Sequence, residues 1–240
     1  MATDIKTIKK IKSSNNTTYE ISAKYDGNDN VIVNTYMTKH NPTGTGSFSL
    51  NRKADTTIGF CSVAEGNNPT ASGDYSHAEG HYTTASGDDS HAEGLETIAS
   101  GDCSHAEGQF TTASGTASHA EGDMTAASGL CSHAEGQSTT ASGQASHAEG
   151  AATTASGQAS HAEGTNTKAS SNYQHVQGKY NIEDANNTYA HITGNGEDSN
   201  QRSNAHTLDW DGNAWYAGNM TINNAVTLEY NNDCLNFIFK

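Results

Sequence analysis

The chain has 240 residues, a formal net charge of −15 and 32% hydrophobic residues, a composition that by itself describes a disordered polymer with too little apolar surface to offset chain entropy. A strict internal period argues against disorder, because stacked backbone hydrogen bonds can hold a repeat without a large core. The acidic balance argues against nucleic acid as the main partner, since Lys168 is the only cation within the repeats, and no apolar run is long enough for membrane insertion.

The first 58 residues do not repeat and are read as an N-terminal attachment region. The opening MATDIKTIKKIKSSNNTT carries positive charge with no apolar run behind it, so it is neither a signal peptide nor a spanning helix. Lys6, Lys9, Lys10 and Lys12 form the only dense basic patch and read as a solvated leader, with docking to an acidic particle surface as the other use. Residues 19–24 and 31–36 alternate β-branched or aromatic with polar residues around AspGlyAsnAspAsn, the pattern of a hairpin. Residues 43–49 make a Gly, Ser and Thr connector.

Residues 59–178 carry the repeat. His77, His91, His105, His119, His133, His147, His161 and His175 recur every fourteen residues, and each unit splits into two similar halves of seven. One half reads Ser, His, Ala, Glu, Gly and two free positions; the other reads Thr, Thr, Ala, Ser, Gly and two more. Period-two alternation puts Ser76, Ala78 and Gly80 on one face and His77 and Glu79 on the other; Thr83, Ala85 and Gly87 share the inner face of the second half. Small residues therefore always point the same way, into the gap between two closely spaced sheets. Each repeat becomes one coil of a thin parallel β-roll, with Gly at the strand ends for the turn dihedrals. Eight to nine coils stack into a rod roughly 40 Å long. An interior of Ala, Ser, Thr and Gly yields little hydrophobic stabilisation, so association is expected. Cys61, Cys103 and Cys131 share one place in the repeat; two coils separate Cys103 from Cys131, about 9–10 Å, beyond disulfide reach. Free thiols made in a reducing compartment follow.

Ser62, Val63, Ala64, Glu65 and Gly66 in the first coil resemble the SerValAlaIleGly strands of trimeric autotransporter adhesin heads. That resemblance implies an all-β, left-handed parallel β-roll packed as a homotrimer with the Val and Ile positions facing the threefold axis. Carried over, the trimer interface comprises Val63, Glu65, His77, Glu79, His91, Glu93, His105, Glu107, His119, Glu121, His133, Glu135, His147, Glu149, His161, Glu163 and His175. A greasy seam in the family is a polar one here. The SerHisAlaGluGly and ThrThrAlaSerGly arrays are similar to those of tail-fibre and appendage proteins of phages and prophages of low-GC Gram-positive bacteria. This implies a virion location, a tail or baseplate partner, and a host cell-surface glycan or protein as receptor. Many of those proteins end in a self-cleaving chaperone; the segment after Gly178 is too short for one, and that protease activity is not carried over.

Residues 179–240 form the third region, read as a β-rich tip. Gln174 to Gly178 is a worn copy of the repeat, and residues 189–194 and 204–209 echo it at spacings of sixteen and fifteen, like coils that have grown loops. Residues 208–216, around AspGly, and 227–239, around AsnAsnAsp, each read as a hairpin. Large apolar groups concentrate here. Trp210, Trp215 and Tyr216 are candidate receptor contacts able to stack on a sugar, against the plainer uses of core or trimer contact.

Ser76, His77 and Glu79 invite a hydrolase reading, but adjacent strand residues point to opposite faces, so no catalytic residue is assigned and no cofactor is expected. His and Glu share a face, and a threefold axis would gather them in layers. The assignment is an interchain His and Glu hydrogen-bond ladder that penalises wrong register, with no metal assigned. Thr84 with Ser86, Thr112 with Ser114, Thr140 with Ser142 and Thr154 with Ser156 make an outward hydroxyl row that Ile98, Ala126 and Lys168 interrupt, so it reads as a solvated sheet. Turn residues Tyr75, His81, Tyr82, Leu95, Phe110, Met124 and Leu130 are exposed candidates for contact with a neighbouring chain or a receptor. The expected function is a tail-fibre-like structural adhesin for host-surface attachment; the alternative is a spacer or decoration protein without receptor binding.

Overall fold

The computed structural model describes residues 6–12, 18–25, 31–34, 47–50, 53, 56–218, 220–222, 226–231 and 234–239. All regular structure among them is β. Five-residue strands recur every fourteen residues from Val63–Asn67 to His175–Lys179, and two-residue strands recur from Thr70–Ala71 to Lys168–Ala169. The long strands belong to a 13-stranded sheet and the short ones to an 8-stranded sheet. Pairing is parallel and in register, so each residue lies on its own kind: His77 on His91, Ala78 on Ala92, Glu79 on Glu93. Phe48–Leu50 and Tyr189–Asn195 extend the parallel ladder at its two ends, giving about ten coils rather than eight to nine.

The interior is as small as the alternation predicts. The inward-facing alanines from Ala64 to Ala169, at both strand types, are 0–1% exposed, and buried Ser and Thr, such as Ser76 and Thr83, complete the filling. Ser76 Oγ, Ser90 Oγ and Ser104 Oγ donate back to the carbonyls of Gly73, Gly87 and Gly101 at 2.6–2.7 Å, which ties the corner to the following strand. Gly80 is exposed instead of sharing the inner face with Ser76 and Ala78, because it lies where the strand rolls into the corner.

The expectation for glycine holds at the long strands, where Gly80 (φ 110), Gly108 (φ 102) and Gly164 (φ 102) take a positive φ, and a second set of corners goes beyond it. The left-handed corner positions fall every seven residues and hold Tyr75 (φ 58), Tyr82 (φ 57), Asp89 (φ 55), Phe110 (φ 56) and Ala145 (φ 53), not Gly. A side chain in that region costs roughly 1–2 kcal/mol. Stacking offsets it: the backbone N–H of each corner residue donates to the preceding coil, as Tyr75 to Phe60 O (2.7 Å), Tyr82 to Asn67 O (2.9 Å) and Asp89 to Asp74 O (2.8 Å). Gly115 shows what the other glycines are for. A Cβ there would sit 2.1 Å from Gly129 O in the next coil, so the residue is needed for close approach. Asp side chains reinforce the early corners, accepting from backbone N–H groups one coil away at Phe60 (to Asp74, 2.8 Å) and Asp74 (to Asp88, 2.9 Å).

The stack ends on buried amides and a carboxylate. Asn181 Oδ1 accepts from Lys168 N (2.8 Å) while its Nδ2 donates to Lys168 O (3.0 Å), satisfying the last short strand where a neighbouring coil would have been. Asp184 accepts from Gln174 Nε2 (3.1 Å), Thr188 N (2.9 Å) and Tyr189 N (2.8 Å). Val176 and Ile192 replace alanine in the core beside them.

The two echoes of the repeat diverge. Residues 189–194 add a rung, with His191 paired to His175 across an enlarged coil. Residues 204–209 do not: Asn204–Asp209 runs antiparallel to Tyr189–Asn195. The reversal is made by Asp198, whose Oδ1 accepts from Asn200 N (2.7 Å) and Gln201 N (3.0 Å). Ala214–Tyr216 then folds back on Asn204–Asp209, the hairpin expected for residues 208–216. Val226–Asn231 and Cys234–Phe239 pair as the second expected hairpin, with Met220–Ile222 as a third strand. At the other end Thr18–Tyr25 pairs with Val31–Asn34 as expected, and the basic leader is itself a strand, Lys6–Lys12, antiparallel to Thr18–Tyr25 with a bulge between Thr7 and Lys9.

Candidate functional site

Two surfaces concentrate functional groups: the His and Glu face of the long-strand sheet and the concave side of the C-terminal cap. On the first, in-register strands stack the imidazoles from His77 to His175 face to face, with centroids 4.7–4.8 Å apart and planes within 6°. Each Nε2 faces the Glu one coil back, at 3.7 Å for His77 to Glu65, 3.5 Å for His91 to Glu79, 3.8 Å for His119 to Glu107 and 3.0 Å for His161 to Glu149. The pairs lie within one chain, running diagonally between coils; His161 to Glu149 is a hydrogen bond, and the others stand at 3.4–3.8 Å. These side chains remain about one-third exposed, at 34–36% for His77 to His161, so the face is open along one side.

Burial holds the His91, His119 and His147 pKa values below the usual 6.5, and the neighbouring imidazoles lower them further, against the pull of adjacent Glu carboxylates. The column thus favours neutral rings at these positions. Beside it the Glu107, Glu121, Glu135 and Glu149 side chains and the adjoining exposed glycines line a shallow groove of about 440 Å³.

His77, Glu79 and His91 place possible ligand atoms within 4.8 Å of one another, as do Glu107, His119 and Glu121. A transition metal needs donors converging at about 2.0–2.2 Å. Parallel stacked rings aim their in-plane lone pairs side by side, so the placement suits a ladder of polar contacts between imidazoles and carboxylates better than a chelate. Ser76 lies inside the coil with its Oγ on Gly73 O, on the opposite face of the strand from His77. The trio does not assemble as nucleophile and base.

The C-terminal cap is built by the antiparallel meander. Trp210, Trp215 and Tyr216 are about half exposed, so none is core. Their surroundings differ. Tyr216 packs on His206 (4.6 Å between ring centroids), which packs on His191, extending the ring column into the cap. Trp210 sits at the tip of the turn. Trp215, on the opposite face from Tyr216, lines a cavity of about 710 Å³ together with Ile182, Tyr189, Asn195, Asn204, Asp209 and Asn213. Asp209 holds the turn, accepting from Asn213 Nδ2 (2.8 Å), Asn213 N (2.7 Å) and Asp211 N (3.0 Å); these bonds, led by the Asn213 side chain, keep its carboxyl below the usual range.

Sequence reasoning found Trp215 and missed Tyr189 and Asn195, at the two ends of Tyr189–Asn195, and Asn204, which the antiparallel return of Asn204–Asp209 brings beside them. Cys103 and Cys131 carry exposed free thiols, as expected. The corner side chains Tyr75, Tyr82, Phe110, Met124 and Leu130 are exposed.

No known protein-family description matches the chain, and no curated protein matches it.

Proposed function

We propose that the chain is a tail-fibre-like structural adhesin of a phage or prophage: a homotrimeric, left-handed β-roll shaft that carries a C-terminal tip to the host surface. The observation that carries the reading is an uninterrupted His and Glu face, about one-third exposed over eight coils, on a solenoid whose own core is little wider than a methyl group. Burial of alanine-sized groups contributes little per coil. Three such faces packed on a common axis, with Val63 at the start and His175 at the end, give the shaft the apolar and polar contacts that a single roll lacks. Residues 1–58 join it to the particle, and the exposed aromatics of the cap meet the receptor. Trivalency sums weak contacts into useful avidity.

Sedimentation equilibrium of the full chain is expected to return three protomers; a monomer would overturn the shaft. Labelled protein is expected to bind intact host envelopes. Binding to isolated particles with none to envelopes would favour a spacer or decoration role.

A further inference from the structure

The cavity of the C-terminal cap has a chemistry of its own. At about 710 Å³ it is an open cleft of the size that takes small ligands, and its lining combines an aromatic and aliphatic wall with amides. Trp215, Tyr189 and Ile182 supply the apolar wall. Asn204 uses its Oδ1 to accept from Ile182 N (2.9 Å), and Asn195 uses its Oδ1 to accept from Ser203 Oγ (2.6 Å); each is thereby locked with its Nδ2 donors uncommitted. Asn213 spends its Nδ2 on Asp209, which leaves its Oδ1 as an acceptor. Fixed donors and acceptors around an indole match the hydroxyls and C–H faces of a pyranose ring, since aromatic side chains present a large apolar face beside polar groups.

Charge narrows the class. Among the described residues the lining contains no Lys, Arg or His, and its one carboxylate is Asp209, held ionised by its turn hydrogen bonds. Arg202, the nearest guanidinium in sequence, is committed elsewhere, donating from Nη1 to Asn166 O and Asn181 O. An anionic ligand would meet a negative group and no counter-charge.

We infer that this cavity binds a neutral sugar, one to three pyranose units long, with Trp215 as the stacking platform and Asn195, Asn204 and Asn213 as the hydroxyl readers. The site gives the receptor end of the proposed adhesin its ligand class and rests on that reading for its biological use, though sugar binding stands or falls by itself.

The chain has two tryptophans, so Trp210→Phe leaves Trp215 as sole reporter. Titrating the full-length Trp210→Phe chain with neutral glucose, galactose and N-acetylglucosamine and their disaccharides is expected to give a saturable fluorescence change with at least one. Glucuronate and glycerol phosphate should give none. Saturation-transfer NMR on Trp215→Ala should show about tenfold weaker binding, as for loss of an aromatic anchor, with Trp215→Tyr partly restoring it. Far-ultraviolet circular dichroism checks that each variant is folded. No neutral sugar bound, tighter binding of the anionic probes, or unchanged binding by folded Trp215→Ala each overturns the inference. Envelope binding that survives Trp215→Ala leaves the adhesin reading intact and removes this site from it; sugar binding without envelope binding does the reverse.

Discussion

Shaft and cap solve the same problem, burying a chain with few large apolar residues, by opposite means. The shaft buries Ala, Ser and Thr at the same few positions in coil after coil, and its order comes from backbone ladders that place like on like. Its cost is spread evenly, and so is its sensitivity. The cap spends its polar groups once: Gln174, Asn181 and Asp184 are buried and each holds several partners. A repeat survives on many equal small terms, whereas an end survives on a few unequal large ones.

Glycine tests the contrast most severely. Gly115→Ala in mid-shaft pushes a Cβ into Gly129 O of a rigid neighbour and should cost more than about 4 kcal/mol in chemical denaturation, while Gly212→Ala in the cap turn (φ +86, nothing within 4 Å) should cost about 1–2 kcal/mol. Equal costs would break the comparison. Next in size, Asp184→Ala strips the acceptor from Gln174 Nε2, Thr188 N and Tyr189 N and should destabilise by about 3 kcal/mol, with hydrogen exchange rising first at Thr188 and Tyr189. Exchange rising uniformly along the shaft would mean that the cap is no separate unit.

A smaller effect belongs to acidity. His91, His119 and His147 have folded pKa values below 6.5, so the unfolded chain takes up protons first. The stability they give is complete above about 6.5 and is lost as pH falls through 6.5 towards the lower folded values. Melting temperature should therefore drop between pH 8 and pH 5.5, and His119→Gln should flatten that slope; a melting temperature rising on acidification would contradict the neutral column. Smallest is Ala145→Gly at a left-handed corner, where relief of strain and gain of unfolded-state entropy nearly cancel. A change within about 1 kcal/mol is expected, read from the same denaturation curves.

The faces and register of the shaft were legible because alternation of small and large residues has period two and the repeat has a fixed length. Tyr75, Asp89 and Phe110 gave no hint of a left-handed backbone, since that conformation is imposed by the coil beneath and not by residue preference. The turning back of residues 204–209 was written locally in Asp198, yet the likeness of AsnAlaHis to the repeat outweighed it. Trp215 was legible as an exposed aromatic. Tyr189, Asn195 and Asn204 were not, because strand order brings them to one cavity.

Like-on-like stacking also has a genetic consequence. Since Ala106 rests on Ala120 as Ala92 rests on Ala106, excising or duplicating any fourteen residues between Gly87 and Gly157 rejoins surfaces that already fit. Loss or gain of a whole repeat would shorten or lengthen the rod in steps of one 4.8 Å rung and leave both termini untouched. Reach can then drift from one lineage to another while what the rod carries at its end stays the same.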